Sequence, residues 1–173
     1  CGGAFGDEGK GRIVDEFVSH FSQKYQVIVY RDNGGANAGH TIELNDGQRI
    51  AVHQLPSGIF HKNTTIILGK GMVIHPADLL EEIQQMKKIS NKIKIANILI
   101  DEMAVLSLDT HRAFESVLNE WESGGKGATG RGISPAYADI LLRHPLRIRD
   151  LISFNQEKIT KHYLLYEALI KGL

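Results

Sequence analysis

Near its start the chain reads Phe5-Gly6-Asp7-Glu8-Gly9-Lys10-Gly11, two carboxylates and an ammonium set among glycines directly ahead of a helical pattern. Glycines let backbone amides approach a ligand, a helix start adds positive potential and lysine adds a cation, which together describe a phosphate cradle. The spacing misses the Walker pattern. The required first glycine falls on Ala4, and Gly11 follows Lys10 where a magnesium-binding Ser or Thr would stand. The Asp7 carboxylate could replace that hydroxyl as a magnesium ligand, with Lys10 and the amides of Gly9 and Gly11 facing phosphate oxygens. The plain alternative is a flexible, charged turn.

Two more loops carry similar chemistry. Asn33-Gly-Gly-Ala-Asn37-Ala-Gly39-His40 offers carboxamides and an imidazole that titrates near neutrality. His40 is either a satisfied core histidine or a proton donor at a site. Residues 124–137, GGKGATGRGISPAY, combine five glycines with Lys126, Thr129 and Arg131 ahead of a helix start at Ser134, a second candidate anion site. Arg143 lies about three turns along that helix, too far to reach its own N-terminus, and on position alone reads as a surface arginine. The other histidines, at 20, 53, 61, 75, 111, 144 and 162, show no dense ligand spacing, so no zinc site is expected.

The elements that must position these loops alternate. Residues 13–21 place Ile13, Val14, Phe17, Val18 and Phe21 on one helical face. Residues 26–31 read as a buried strand, 64–69 as another central strand and 94–101 as a further strand. Residues 41–44 and 49–55 flank Asn45-Asp-Gly-Gln48, a hairpin signal. Pro76 opens a helix with acids early and lysines late, and further helices are expected over 110–122, from Ser134, and over 155–171. The expectation is an α/β domain, layered, with a mixed, largely parallel central sheet flanked by helices and a β-hairpin near 41–55.

Composition limits the rest. The 173 residues are 42% hydrophobic and 23% charged, enough for one domain with a core. Lys+Arg and Asp+Glu number 20 each, so net charge gives no reason to expect nucleic acid or membrane as a partner. One cysteine, Cys1, cannot close an internal disulfide and is compatible with a cytoplasmic setting. No apolar run approaches the roughly 20 residues of a spanning helix. The glycine turn has no strand ahead of it, so the expectation is that residues preceding Cys1 and following Leu173 belong to the same domain.

Taken together, GDEGKGR at 6–12, NGGANAGHT at 33–41, HQLPSGI at 53–59, GKGMVIHP at 69–76 and GATGRGISPAYAD at 127–139 resemble adenylosuccinate synthetases, in the family's order. The resemblance implies that 1–173 is the N-terminal portion of a single P-loop-NTPase-like α/β domain. It implies a GTP-dependent ligase of purine biosynthesis that joins IMP and L-aspartate with Mg2+, in a cytoplasmic homodimer. By that resemblance Asp7 is the catalytic base and His40 the acid. Gly6, Glu8, Gly9, Lys10, Gly11, Gly39, His40 and Thr41 surround GTP, and Asp7 with the Gly39 carbonyl holds the metal. Asp7, Lys10, Asn37 and Thr129 meet IMP, and Arg143 reaches it from the neighbouring subunit, which replaces the surface reading of that residue. Ala4, Asn33 and Ala36 stand where longer polar side chains are common, which leaves open dGMP, the substrate of some viral relatives. A nucleotide-binding module without turnover is the alternative of a different class.

Overall fold

The computed structural model describes residues 9–43, 47, 49–89, 95–122 and 128–173, with the backbone alone for His40, Ile42 and Glu43. Thirteen elements follow one another among them. They are α1 (Lys10–Phe21), β1 (Val27–Arg31), β2 (His40–Glu43), β3 (Arg49–Val52), β4 (Thr64–Leu68), β5 (Val73–Ile74), α2 (Pro76–Ile89), β6 (Asn97–Ile100), β7 (Val105–Leu106), α3 (Asp109–Trp121), α4 (Ile133–Leu141), α5 (Ile148–Ile152) and α6 (Gln156–Gly172).

Parallel pairing dominates. A sheet of order β1-β4-β6 is parallel throughout, with Val27 opposite Thr64 and Ile66 opposite Ile98. A short parallel pair joins β5 to β7, and β2 and β3 form the expected antiparallel hairpin. Together they make a mixed, largely parallel α/β arrangement flanked by helices, consistent with a P-loop-NTPase-like layered fold. The β-branched run of β4 explains its central place: Ile66 and Leu68 are wholly buried. Around them pack Val52, Leu55, Ile59, Met72, Ile74 and Met86, all fully buried. Each such side chain contributes about 1.5–3 kcal/mol by leaving water. Pro76 stands at the first position of α2, Asp78 in its first turn and Lys87 and Lys88 in its last, as the helix dipole favours.

One expectation needs correction. Strand β1, read as buried, is half-buried on one face, with Ile28 and Tyr30 on the other more than half exposed. The expected apolar face of α1 is present, but only Val18 on it is buried, while Ile13, Phe17 and Phe21 are about half exposed. Periodicity shows that a face is apolar but not that a neighbour covers it. Elements β5, β7 and α5, two to five residues each, are too short to register as periodic patterns. Among the described residues no helix is long and apolar enough to cross a membrane.

Candidate functional site

In an open parallel sheet, loops at the carboxyl ends of the strands line a crevice suited to ligands. The 33–39 loop leaves β1 at that end, and the short pair β5–β7 carries it against α4. Gly34 donates its N–H to the Tyr137 hydroxyl at 3.1 Å, and that hydroxyl donates onward to the Gly71 carbonyl at 2.9 Å. The Val73 amide donates to the Gly34 carbonyl at 2.9 Å. A Cβ on Gly35 would lie 2.4 Å from the Val73 carbonyl oxygen and 2.8 Å from Ile133 Cδ1, so no larger residue fits without displacement. Ile133 opens α4, so this glycine is where the second and third loops of the sequence meet.

Arg31, the last residue of β1, holds the loop in place. Its Nη1 donates to the carbonyls of His53 (2.6 Å) and Gln54 (2.9 Å), and its Nη2 to that of Gly35 (3.1 Å). Burial pulls the guanidinium below its ordinary value, and the nearby Glu82 charge acts in the opposite sense. Glu82, buried on α2, grips the same 53–55 segment from the other side. Its carboxylate accepts the amides of His53 (3.1 Å), Gln54 (3.0 Å) and Leu55 (3.1 Å). A cation on the carbonyls and an anion on the amides thus fix one stretch of backbone. Gln54 completes it by accepting from the His75 N–H and donating to the His75 carbonyl.

The third loop is held differently. The buried Glu115 accepts the Gly132 amide at 2.9 Å, and the Ser107 hydroxyl donates to the Arg131 carbonyl at 3.0 Å. Gly132 has φ 69°, and a Cβ there would meet His111 Cβ at 2.8 Å. The amide at the entrance of α4 is therefore already bonded to a carboxylate. The side chains beside it are Thr129, which is exposed, and Arg131, tied to Asp78 at 3.4 Å but still 41% exposed. Burial alone would raise the Asp78 carboxyl, but the hydrogen bond from Arg112 and the charges of His75, Arg112 and Arg131 hold it below the usual range.

Behind this loop, Asp139 of α4 gathers three imidazoles and a phenol. His111 Nε2 donates to it at 3.2 Å and the Tyr166 hydroxyl at 2.8 Å, while Nδ1 of His162 and of His144 lie 3.5 and 3.6 Å away. His162 Nδ1 is buried without a hydrogen-bond partner, and its Nε2 bonds the Thr110 hydroxyl. Burial, then the neighbouring His111, depresses His162 to about 4, while burial and the Asp139 contact push the Tyr166 phenol up. Ligand atoms of His111, Asp139 and His162 lie within 4.8 Å of one another, a potential metal-binding set that sequence spacing did not reveal. His111 resists that role as it stands. Its Nδ1 accepts the Leu108 amide at 2.9 Å, which leaves the ring proton on Nε2, where a metal would have to bind.

The sequence-derived site residues divide into three groups. Gly6, Asp7 and Glu8 lie outside the described residues. Gly9, in a left-handed conformation, caps α1; Lys10 and Gly11 form its first turn, and α1 packs on β2, which starts at His40. Backbone pairing sets His40 opposite Val52 and Thr41 opposite Ala51. Asn37 is exposed, but its Oδ1 accepts the Gly35 amide at 3.0 Å, so its Nδ2 hydrogens are what it can offer outward. Ala36 is buried. The structure thus brings the 33–39 loop against the α4 entrance, and packs α1 on β1 and β2. Arg143 stands apart, past the far end of α4, at φ 66°. Its flanking Leu141 and Leu142 are 83% and 68% exposed.

Sequence reading missed Arg31, Glu82, Ser107, Glu115 and Asp139. Glu82 was findable, because it shares a helical face with the buried Leu79 and Met86. The others bond segments remote in sequence and leave no local signal.

A parallel-dominated α/β layer with glycine loops at the carboxyl ends of its strands defines a P-loop-NTPase-like class. The chain matches the adenylosuccinate synthetase family over residues 1–173 and belongs to it. It is 40% identical over 175 aligned positions to the adenylosuccinate synthetase of Chlorobium phaeobacteroides, covering 99% of this chain and 39% of that protein. Among solved structures it is similar to the fully ligated adenylosuccinate synthetase from Plasmodium falciparum, with TM-score 0.77, 34% identity, and coverage of 98% of this chain and 38% of that one. A second likeness is to a cyanophage S-2L succinoaminodeoxyadenylate synthetase bound to dGMP and dATP, with TM-score 0.65, 26% identity, and coverage of 88% and 40%. The chain spans about two fifths of the length of these relatives.

Proposed function

We propose that the protein carrying this chain is a GTP-dependent ligase that joins IMP and L-aspartate, giving adenylosuccinate, GDP and phosphate. The observation that carries the reading is the meeting of the 33–39 loop with the α4 entrance at Gly35 and Ile133. Two glycine-rich loops in contact suit a reaction between a triphosphate and a second phosphorylated substrate.

In this reading Asp7 takes the N1 proton of IMP, and the resulting 6-oxyanion attacks the γ-phosphorus of GTP in line, expelling GDP. Lys10 and His40 steady the charge on the transferring group, and the amides of Gly9 and Gly11 with Thr41 line the triphosphate. The amine of L-aspartate then adds at C6 and phosphate leaves. Asn37, through Nδ2, and Thr129 orient IMP. The oxygen donors assigned to Mg2+, the Asp7 carboxylate and the Gly39 carbonyl, match the taste of a hard cation better than the nitrogen-rich Asp139 cluster does. The ion would neutralise phosphate charge there. Arg143 belongs to a neighbouring subunit's site, in a cytoplasmic homodimer. Its left-handed backbone closes α4, with the Arg143 and His144 amides on the Ile140 and Asp139 carbonyls, so the reading of its side chain rests on the resemblance.

The test is adenylosuccinate formation by the full-length protein with IMP, GTP, L-aspartate and magnesium, each omitted in turn. Turnover that needs all of them supports the reading. Preference for dGMP would move the protein to the second relative's chemistry, and binding without turnover would leave a nucleotide-binding module. The higher identity and TM-score to the Plasmodium falciparum structure favour IMP.

A further inference from the structure

His53, one residue beyond the strand partner of His40, takes no part in the chemistry proposed above. Its ring nevertheless touches the loop that carries that chemistry. Nδ1 lies 2.9 Å from the Ala38 carbonyl oxygen. A carbonyl only accepts, so Nδ1 bears the hydrogen and donates. An ideal Cβ on Gly39 would stand 3.7 Å from His53 Cε1 and 3.8 Å from Nδ1, so the ring lies against Gly39 at van der Waals distance.

The ring is anchored behind. The His53 amide is given to Glu82, its carbonyl receives Arg31, and the preceding Val52 pairs with His40. The loop side is weakly held without it. The only other bond among the described residues at Ala38 is its amide to the Gly35 carbonyl, at a long 3.4 Å.

We infer that His53 is a positioning residue: by donating Nδ1–H to the Ala38 carbonyl it fixes the Ala38–Gly39 peptide, and with it the approach of the chain to His40. This rests on the ligase reading for its kinetic consequence, though not for its structural one. A misplacement of about 1 Å at a reacting group can cost a hundredfold in rate, so the expected phenotype lies in turnover rather than in affinity.

The test compares three variants in the full-length protein. His53→Leu removes the donor. His53→Asn keeps a donor, because the Asn Nδ2 falls near the place of His Nδ1. His53→Asp, the same shape as Asn, sets an acceptor against the Ala38 carbonyl. The expected result is a kcat about 10- to 100-fold lower for Leu and Asp with the KM for GTP within about twofold, and an Asn variant within about fivefold of wild type. Amide hydrogen exchange over residues 38–41 should quicken in Leu and Asp and stay near wild type in Asn. Wild-type rates and exchange in the Leu and Asp variants would overturn the inference. So would an Asn variant as impaired as Asp. If the wild-type protein fails to turn over IMP, the ligase reading fails, and the exchange comparison alone then decides the role of His53. Should the Leu variant not fold, the isosteric Asn and Asp pair still decides it.

Discussion

The two glycine loops are gripped by groups of opposite charge. In the 33–39 loop a guanidinium, that of Arg31, takes the Gly35 carbonyl, His53 takes that of Ala38, and the amides of Gly34 and Gly35 are bonded to Tyr137 and Asn37. At the α4 entrance a buried carboxylate, that of Glu115, takes the Gly132 amide while Ser107 donates to the Arg131 carbonyl. Glycine content alone therefore does not reveal what holds a loop; the charge and direction of the supporting bonds do.

The strongest way to break the comparison is Arg31→Met. It would leave the carbonyls of Gly35, His53 and Gln54 without their buried donor, at about 1–3 kcal/mol each before relaxation. We expect a loss of about 3–5 kcal/mol in urea unfolding, with the 33–39 loop exposed to protease first. A loss below about 1 kcal/mol would show that the loop is held by something else.

Acid should act on the other side. His162 has a folded pKa of about 4 against 6.5 for the free group, so the native state favours its neutral form. The stability this represents is fully present above about pH 6.5 and is lost as pH falls from there toward 4, about 3 kcal/mol in all at 1.4 kcal/mol per unit. The groups facing it are Asp139, His111, His144 and Tyr166. The depressed carboxyls of Asp78 and Asp150 lose their contribution only below about pH 4, so the two windows separate. Unfolding measured between pH 7 and 4.5 should show the slope, and His162→Gln should flatten it. An unchanged slope in that variant would assign the effect elsewhere.

Glu115→Ala sharpens the contrast most gently. Loss of one charge-assisted bond to the Gly132 amide should cost about 1–2 kcal/mol. It should loosen the Thr129–Arg131 stretch while leaving exchange at residues 38–41 unaltered. Equal loosening of both loops would mean that they are one unit rather than two.

Much of the frame was legible beforehand because it is local. The β-branched run of β4, the Asp-Gly pair in the sequence between β2 and β3, and Pro76 before an acid-to-base gradient each announce an element from within its own few residues. The supporting bonds were not legible, because each joins distant segments through backbone atoms that every residue possesses. Nothing about Arg31 says that its partners are the carbonyls of residues 53 and 54. Nothing in the sequence around residue 111 foretells that its imidazole will share a carboxylate with that of residue 162. The β-branched run of β1 misled for a related reason: it suits a buried strand, but burial belongs to the neighbour as much as to the run, and Ile28 stays exposed.

Arg143 sits in a backbone conformation that glycine adopts with little strain. Selection of random variants for heat resistance alone would therefore drift toward glycine at that position, and each such winner would surrender the guanidinium. Robustness and the reach proposed for that side chain are opposed there at a single Cα, so a thermostabilised descendant of this protein should be checked at residue 143 before its kinetics are believed.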